Sequence, residues 1–343
     1  MTRSPLWLLT LARLRLYYRE PGALFWSFGF PILVSLALGI AFRNRPPEPV
    51  AVAVVQGTGA DAIYDVLASD QGIRASRLDD AAAASALRLG KVAVVVVPGD
   101  PVTYRFDPMR PESRLGRALA DDAVQRAAGR TEPAHVQDAM VTEPGGRYID
   151  FLVPGIIGLN IMSSGMWGIG YVIVETRSKK LLKRMVATPM KRSHFLLSFV
   201  LMRLFFVFIE LPVLLLFARF VFGVTMHGSI ALFTGLSVLG AMAFAGLGLL
   251  VASRAQNTTT VGGLVNLVLM PMFIFSGVFF SSANFPDVMQ PFIKALPLTA
   301  LNDALRAVML DGASAATVGR ELAILAAWAS VSFVVALRFF RWK

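Results

Sequence analysis

The chain has 343 residues, 55 % of them hydrophobic, and a formal net charge of +11. That apolar content exceeds what a water-soluble domain of this size carries, and apolar runs of about 20 residues, enough to cross roughly 30 Å of hydrocarbon, recur along the chain. With no cysteine, disulfides and thiolate metal sites are excluded, and the three scattered histidines (His135, His194, His227) do not suggest a metal site.

The charge is placed unevenly. Segments 1–22, 175–192, 253–259 and 338–343 hold fifteen Lys/Arg against two acids, whereas residues 43–148 hold thirteen against fourteen. Positive charge in short segments beside apolar runs is the positive-inside pattern. Its counter-charge is anionic lipid headgroup, not nucleic acid. The expected fold class is therefore mainly α, a polytopic membrane protein with six spans and one inserted α/β domain.

Residues 1–22 carry Arg3, Arg13, Arg15 and Arg19 among Leu, Trp and Tyr. A cleaved signal peptide would place basic residues before its apolar core and a small-residue site after it, and neither fits. An interfacial helix on the cytoplasmic leaflet is expected, with the arginines largely opposite Leu8, Leu9, Leu11, Ala12 and Leu16. Pro21-Gly22 should break it. The first span follows at 23–42, with a kink expected at Pro31.

Residues 43–148 change character. Val50–Val55 and Val92–Val97 are β-branched runs of strand length, and Thr103–Phe106 reads as another short strand. Leu78–Leu89 and Glu112–Ala128 are Ala-rich and helical in pattern. A small extracytoplasmic α/β domain of roughly 100 residues is expected, long enough for its own core. It reads either as a folded spacer or as an element that handles substrate or a partner.

The region 149–343 should hold five more spans. The second, 149–174, is rich in glycine and carries Asn160. The third, 194–222, contains Arg203 and Glu210, seven residues apart and on one face. Arg203 lies close enough to the inner end to snorkel to the headgroups. Glu210 reads either as a structural partner or as part of a transport pathway. The fourth and fifth spans are expected at 229–252 and 260–280, the latter with Asn266 in an interhelical hydrogen bond. Two short helices punctuated by Pro286, Pro291 and Pro297 precede the last span, 321–337, and dip into the outer leaflet.

Between the second and third spans lies ETRSKKLLKRMVATPMKR, with seven Lys/Arg and one Glu. Leu181, Leu182, Met185 and Val186 recur at i, i+1, i+4 and i+5, so one short amphipathic helix is expected within 175–192, ended by Thr188-Pro189. The pattern by itself allows a solvated loop or a cytoplasmic docking helix.

Glu175, Leu182, Arg184, Met185, Ala187, Thr188, Pro189 and Met190 resemble the E…L-x-R-[LM]-x-[AS]-[ST]-P-[MLV] coupling segment of ABC-2-type transporter permeases. A second resemblance lies near the C-terminus: Ser276-Gly277-Val278-Phe279-Phe280, then Pro286, Leu296–Thr299, Asp303 and Arg306. The layout is similar to the subgroup with a large external domain between the first two spans.

The resemblance implies an exporter permease of the bacterial cytoplasmic (inner) membrane, multi-pass, both termini cytoplasmic, working as a homodimer with a separate ABC ATP-binding subunit. ATP and Mg would sit on that partner, since the sequence holds no G-x-x-x-x-G-K-[ST] phosphate loop. Coupling would fall to Glu175, Arg177, Lys179, Leu181, Leu182, Lys183, Arg184, Met185, Thr188 and Pro189. Asn160, Arg203, Glu210 and Asn266 are the intramembrane polar candidates. The chain is not expected to be an enzyme. Membrane lipids and a periplasmic adaptor are the further partners considered. Apolar span faces suit a hydrophobic drug or a lipid-like substrate. Two other classes stay open: an ion-driven secondary transporter using Glu210, and a mechanotransmission permease that transports nothing.

Overall fold

A computed structural model describes residues 5–42, 49–130, 146–181 and 192–339. The chain divides into two compact units, Met1–Arg43 with Thr142–Lys343, and Asn44–Val141.

In chain order, helix α1 is Pro5–Tyr18 and the first long apolar helix, span 1, is Pro21–Ala41. The inserted unit comprises β1 (Val50–Val55), α2 (Ala60–Ser69), β2 (Ile73–Leu78), α3 (Asp80–Arg88), β3 (Val94–Val97), β4 (Thr103–Phe106) and α4 (Pro111–Ala127). Then come span 2 (Tyr148–Ser178), span 3 (His194–Phe222), span 4 (Ile230–Arg254) and span 5 (Thr258–Phe275). Helices α5 (Gln290–Ala295) and α6 (Pro297–Asp311) precede span 6 (Gly319–Phe339). Among the described residues six helices are thus long and apolar enough to cross a membrane.

The inserted unit is a four-stranded sheet of order β2-β1-β3-β4. β1 pairs in parallel with β2 and β3, and β4 runs antiparallel to β3. Alternate residues of β1 enter different cores. Val52 and Val54 pack with Leu67, Ala120 and Ala123, while Ala53 and Val55 pack with Ala83 and Ala86 on the other face. A strand covered on both faces reads as an unbroken apolar run, which is why VAVAVV does not alternate.

Two elements here escape the sequence pattern, α2 and the edge strand β2, whose sequence IRASRL carries Arg74 and Arg77. The helix expected from Leu78 begins at Asp80 instead. Asp79 caps it by accepting from the Ala82 N–H at 2.6 Å.

The span unit is built around spans 2 and 4, the most buried of the six. They cross at glycines. A methyl on Gly165 would lie 2.8 Å from Phe244 Cβ, and one on Gly248 2.7 Å from the Gly165 carbonyl oxygen. Close backbone approach of this kind drives helix association where lipid is as apolar as leucine. Helix α6 lies against the same pair, with Leu298, Leu301, Ala304, Leu305 and Val308 wholly buried. It is therefore a packed part of the bundle. Span 5 ends at Phe275, earlier than the expected 280, because Gly277 takes φ +67° and turns the chain. Spans 4 and 5 start at side-chain caps, Ser229 to the Leu232 N–H and Asn257 to the Thr260 N–H.

Candidate functional site

Three polar clusters among the described residues tie the spans to their neighbours.

The first is a cluster where α1 and spans 1, 2 and 3 meet. Span 1 carries a wide helical turn at Phe25–Gly29, just before Pro31. Pro31 has no N–H to give the carbonyl of Ser27, four residues earlier. Asn160 of span 2 supplies the missing donor, its Nδ2 lying 2.9 Å from the Ser27 carbonyl oxygen. The Ser27 hydroxyl in turn pairs with the Tyr17 hydroxyl. Asn160 thus acts as an interhelical hydrogen-bonding residue.

Beside it, Arg203 Nη1 donates to both Glu210 oxygens, at 3.0 and 2.8 Å. Two helical turns separate the residues, so they share a face, and long side chains close the gap. Arg203 is 3 % exposed and Glu210 2 %. The expectation that Arg203 snorkels is corrected: its guanidinium turns to the Glu210 carboxylate and is buried with it. Its Nε and Nη2 make no further hydrogen bond among the described residues.

Arg13 also departs from expectation. It sits on the docked face of α1, its guanidinium carbon 3.2 Å from the Phe199 ring centroid and 4.9 Å from that of Phe195. Its Nε donates to Ser198 Oγ at 2.8 Å. Burial lowers Arg13 to about 9, so it remains charged at neutral pH and holds the rings by cation–π attraction. The arginines of α1 therefore do not share one polar face.

The second place is the C-terminal end of span 2. The helix runs without a break from Tyr148 to Ser178. Glu175 and Arg177 therefore belong to its last turn, and Lys180, just beyond it, takes φ +57°. Arg177 Nη1 donates to the carbonyls of Ala252 and Ala255, at 2.9 and 2.5 Å, and Ser178 Oγ to that of Gln256 at 3.3 Å. Lys179 Nζ meets Glu175 Oε1 at 2.8 Å, and that carboxylate raises the lysine above its ordinary value. Leu181 is exposed. Leu182, Lys183, Arg184, Met185, Thr188 and Pro189 lie outside the described residues.

The third place is a clamp at the opposite end. Arg306 of α6 donates through Nε to the Phe151 carbonyl at 3.1 Å and through Nη2 to that of Gly277, and lies 3.7 Å from the centroid of the Phe151 ring. Asn302 Nδ2 bonds the Ser276 carbonyl at 2.9 Å. Gly158 gives Asn302 its space, since a methyl there would overlap Oδ1. This ties span 2, the end of span 5 and α6 together.

Asn266 joins none of these. It is exposed on span 5, and the interhelical hydrogen bond expected of it is not formed among the described residues. Sequence reasoning also missed Arg13, Tyr17 and Ser27 as a set. The one legible signal was a serine four residues before an in-span proline.

The profile of the family described as ABC-2 family transporter protein matches residues 21–338, from the first turn of span 1 to the end of span 6. The chain belongs to that family. It is an ABC-2 permease, and transport across a membrane is the family's work. It is 28 % identical over 202 residues to the ABC transporter G family member 20 of Dictyostelium discoideum, covering 59 % of this chain and 28 % of the relative. It is 30 % identical over 128 residues to the inner membrane transport permease YhhJ of Escherichia coli (strain K12), covering 37 % of this chain and 34 % of the relative. The same figures hold for YhhJ of Shigella flexneri. The matched stretches span about a third or less of these relatives' own lengths.

Proposed function

We propose that this permease is the membrane subunit of an ATP-driven exporter. In this reading two copies work with separate ABC ATPase subunits, which hold ATP and Mg and dock on the stretch 175–192. The chain itself hydrolyses nothing. The observation that carries the reading is the Arg177 clamp. It fixes the inner end of span 2 to the turn between spans 4 and 5, so a displacement of the basic stretch is passed to three spans at once. Rigid-body switching of packed helices needs such a connection.

Exposed Leu181 continues as Leu182 and Met185 in the sequence, an apolar face suited to a cleft on the ATPase, with Lys183 and Arg184 toward acidic groups at its rim. Thr188 and Pro189 would end the docking helix. The basic stretch lies on the cytoplasmic side of a bacterial inner membrane, with both termini, and the inserted α/β unit lies outside. A second copy would cover the exposed side of span 5, where Asn266 has no partner among the described residues. The cargo would be amphiphilic, a hydrophobic drug or a lipid-like molecule, and a periplasmic adaptor would meet the inserted unit. The commitment of Glu210 to Arg203 supports ATP-driven over ion-driven transport.

The test is co-purification with the ATPase encoded at the same locus. Wild type should retain it, and Leu182→Asp with Met185→Asp should lose it while staying inserted. Equal retention by both, or none by wild type, refutes the docking.

A further inference from the structure

A cleft of about 470 Å³ opens between α1 and span 3. Helix α1 lines it with Leu14, Arg15, Tyr18 and Arg19, spaced i, i+1, i+4 and i+5 and so on one face. Span 3 supplies Phe205, Phe206 and Ile209. Phe206 is the buried floor, whereas Phe205 and Ile209 are 50 % and 39 % exposed. The walls are apolar and the rim is cationic. Neither Arg15 nor Arg19 makes an ion pair with a described residue. Glu20, the acid next along the chain, is exposed and makes none either.

Depth decides what this cleft meets. Crossing the hydrocarbon takes about 20 residues. Counted back from Phe222, the C-terminal end of span 3, the boundary on the α1 side falls near Arg203. Phe205 and Ile209 then lie just inside hydrocarbon, and the arginines of α1 lie at headgroup level. A ligand that fills the cleft must be apolar at one end and anionic at the other. A phosphodiester between two guanidiniums satisfies the rim, and an acyl chain covers the rings.

We propose that the cleft between α1 and span 3 binds a membrane phospholipid with an anionic headgroup, its phosphate on Arg15 and Arg19 and an acyl chain against Phe205 and Ile209. The bound lipid also fastens α1. Phe206 packs at a tilt against Tyr17 with ring centroids 4.0 Å apart, and the Tyr17 hydroxyl pairs with Ser27. The floor of the cleft is thus the lid of the buried polar cluster, and occupancy holds α1 on spans 1 and 3.

Native mass spectrometry of the full chain in detergent tests this, with phosphatidylglycerol, phosphatidylcholine of the same acyl chains, and glycerol phosphate as probes. Wild type should bind phosphatidylglycerol at least about tenfold more tightly than phosphatidylcholine, and free glycerol phosphate should not compete. Arg15→Gln with Arg19→Gln should weaken phosphatidylglycerol about 30-fold and phosphatidylcholine by less, so that the preference between the two lipids falls to within about threefold. Phe205→Ser with Ile209→Ser should weaken both lipids. Arg88→Gln with Lys91→Gln, equal in charge but in the inserted unit, should weaken neither. If the glutamine pair misfolds, Arg15→Lys with Arg19→Lys keeps the two positive charges and should keep the preference for phosphatidylglycerol over phosphatidylcholine within about threefold of wild type. Equal binding of the two lipids by wild type overturns the proposal. So does competition by glycerol phosphate at matching affinity, or a loss in the remote variant as large as in the cleft variant.

Discussion

Removing the Glu210 carboxylate leaves the Arg203 guanidinium 3 % exposed. Its Nη1 now meets that carboxylate at 3.0 and 2.8 Å, and its other two nitrogens have no hydrogen bond among the described residues. A single Glu210→Leu substitution therefore strands a buried cation, which costs about 3–5 kcal/mol. Arg203→Met should cost a similar amount by stranding the carboxylate. The double replacement, Arg203→Met with Glu210→Leu, removes both charges and keeps the volume. It should fall within about 1 kcal/mol of wild type or exceed it, because a hydrophobic pair carries no desolvation penalty. The assay is reversible unfolding in mixed detergent micelles, read as a double-mutant cycle. If Glu210→Leu alone costs less than about 1 kcal/mol, or the double variant is the least stable of the three, the pair is not the buried unit described here.

Asn160→Leu should cost about 1 kcal/mol in the same assay by orphaning the Ser27 carbonyl, and Pro31→Ala, which restores a backbone donor, should reduce that cost. Gly158→Ala should destabilise by about 1–3 kcal/mol or more, because Asn302 is fully buried and has no room to retreat. Arg177→Ala should destabilise by about 1–3 kcal/mol by orphaning the Ala252 and Ala255 carbonyls, and in the proposed complex with an ABC ATPase it should lower ATPase activity several-fold; an unchanged rate would break the link between the basic stretch and the turn between spans 4 and 5. Arg306→Lys should destabilise by about 1–3 kcal/mol, since an ammonium cannot reach the Phe151 and Gly277 carbonyls together as a planar fork does.

The linear pattern located the spans well. Apolar length alone placed span 3 at 194–222, and Pro286, Pro291 and Pro297 punctuated the short helices before span 6. Basic segments between spans and the two resembling motifs carried the family. In the inserted unit β1 and β3 were legible as apolar runs and edge strand β4 as a short run of Thr, Tyr and Phe. Edge strand β2, half exposed and arginine-bearing, gives no such run.

Tertiary structure decided what the polar residues do. Arg13 faces two aromatic rings and not the polar side of α1. Arg203 turns inward to Glu210, Asn160 answers a carbonyl vacated by Pro31, and Asn266 looks outward. Periodicity reports which face of a helix is apolar. In a membrane, lipid and protein neighbours are equally apolar, so the pattern cannot say which of them covers that face. The partner of a buried polar group depends on which helices cross beside it, and glycines such as Gly165 and Gly248 set those crossings only once the chain is folded.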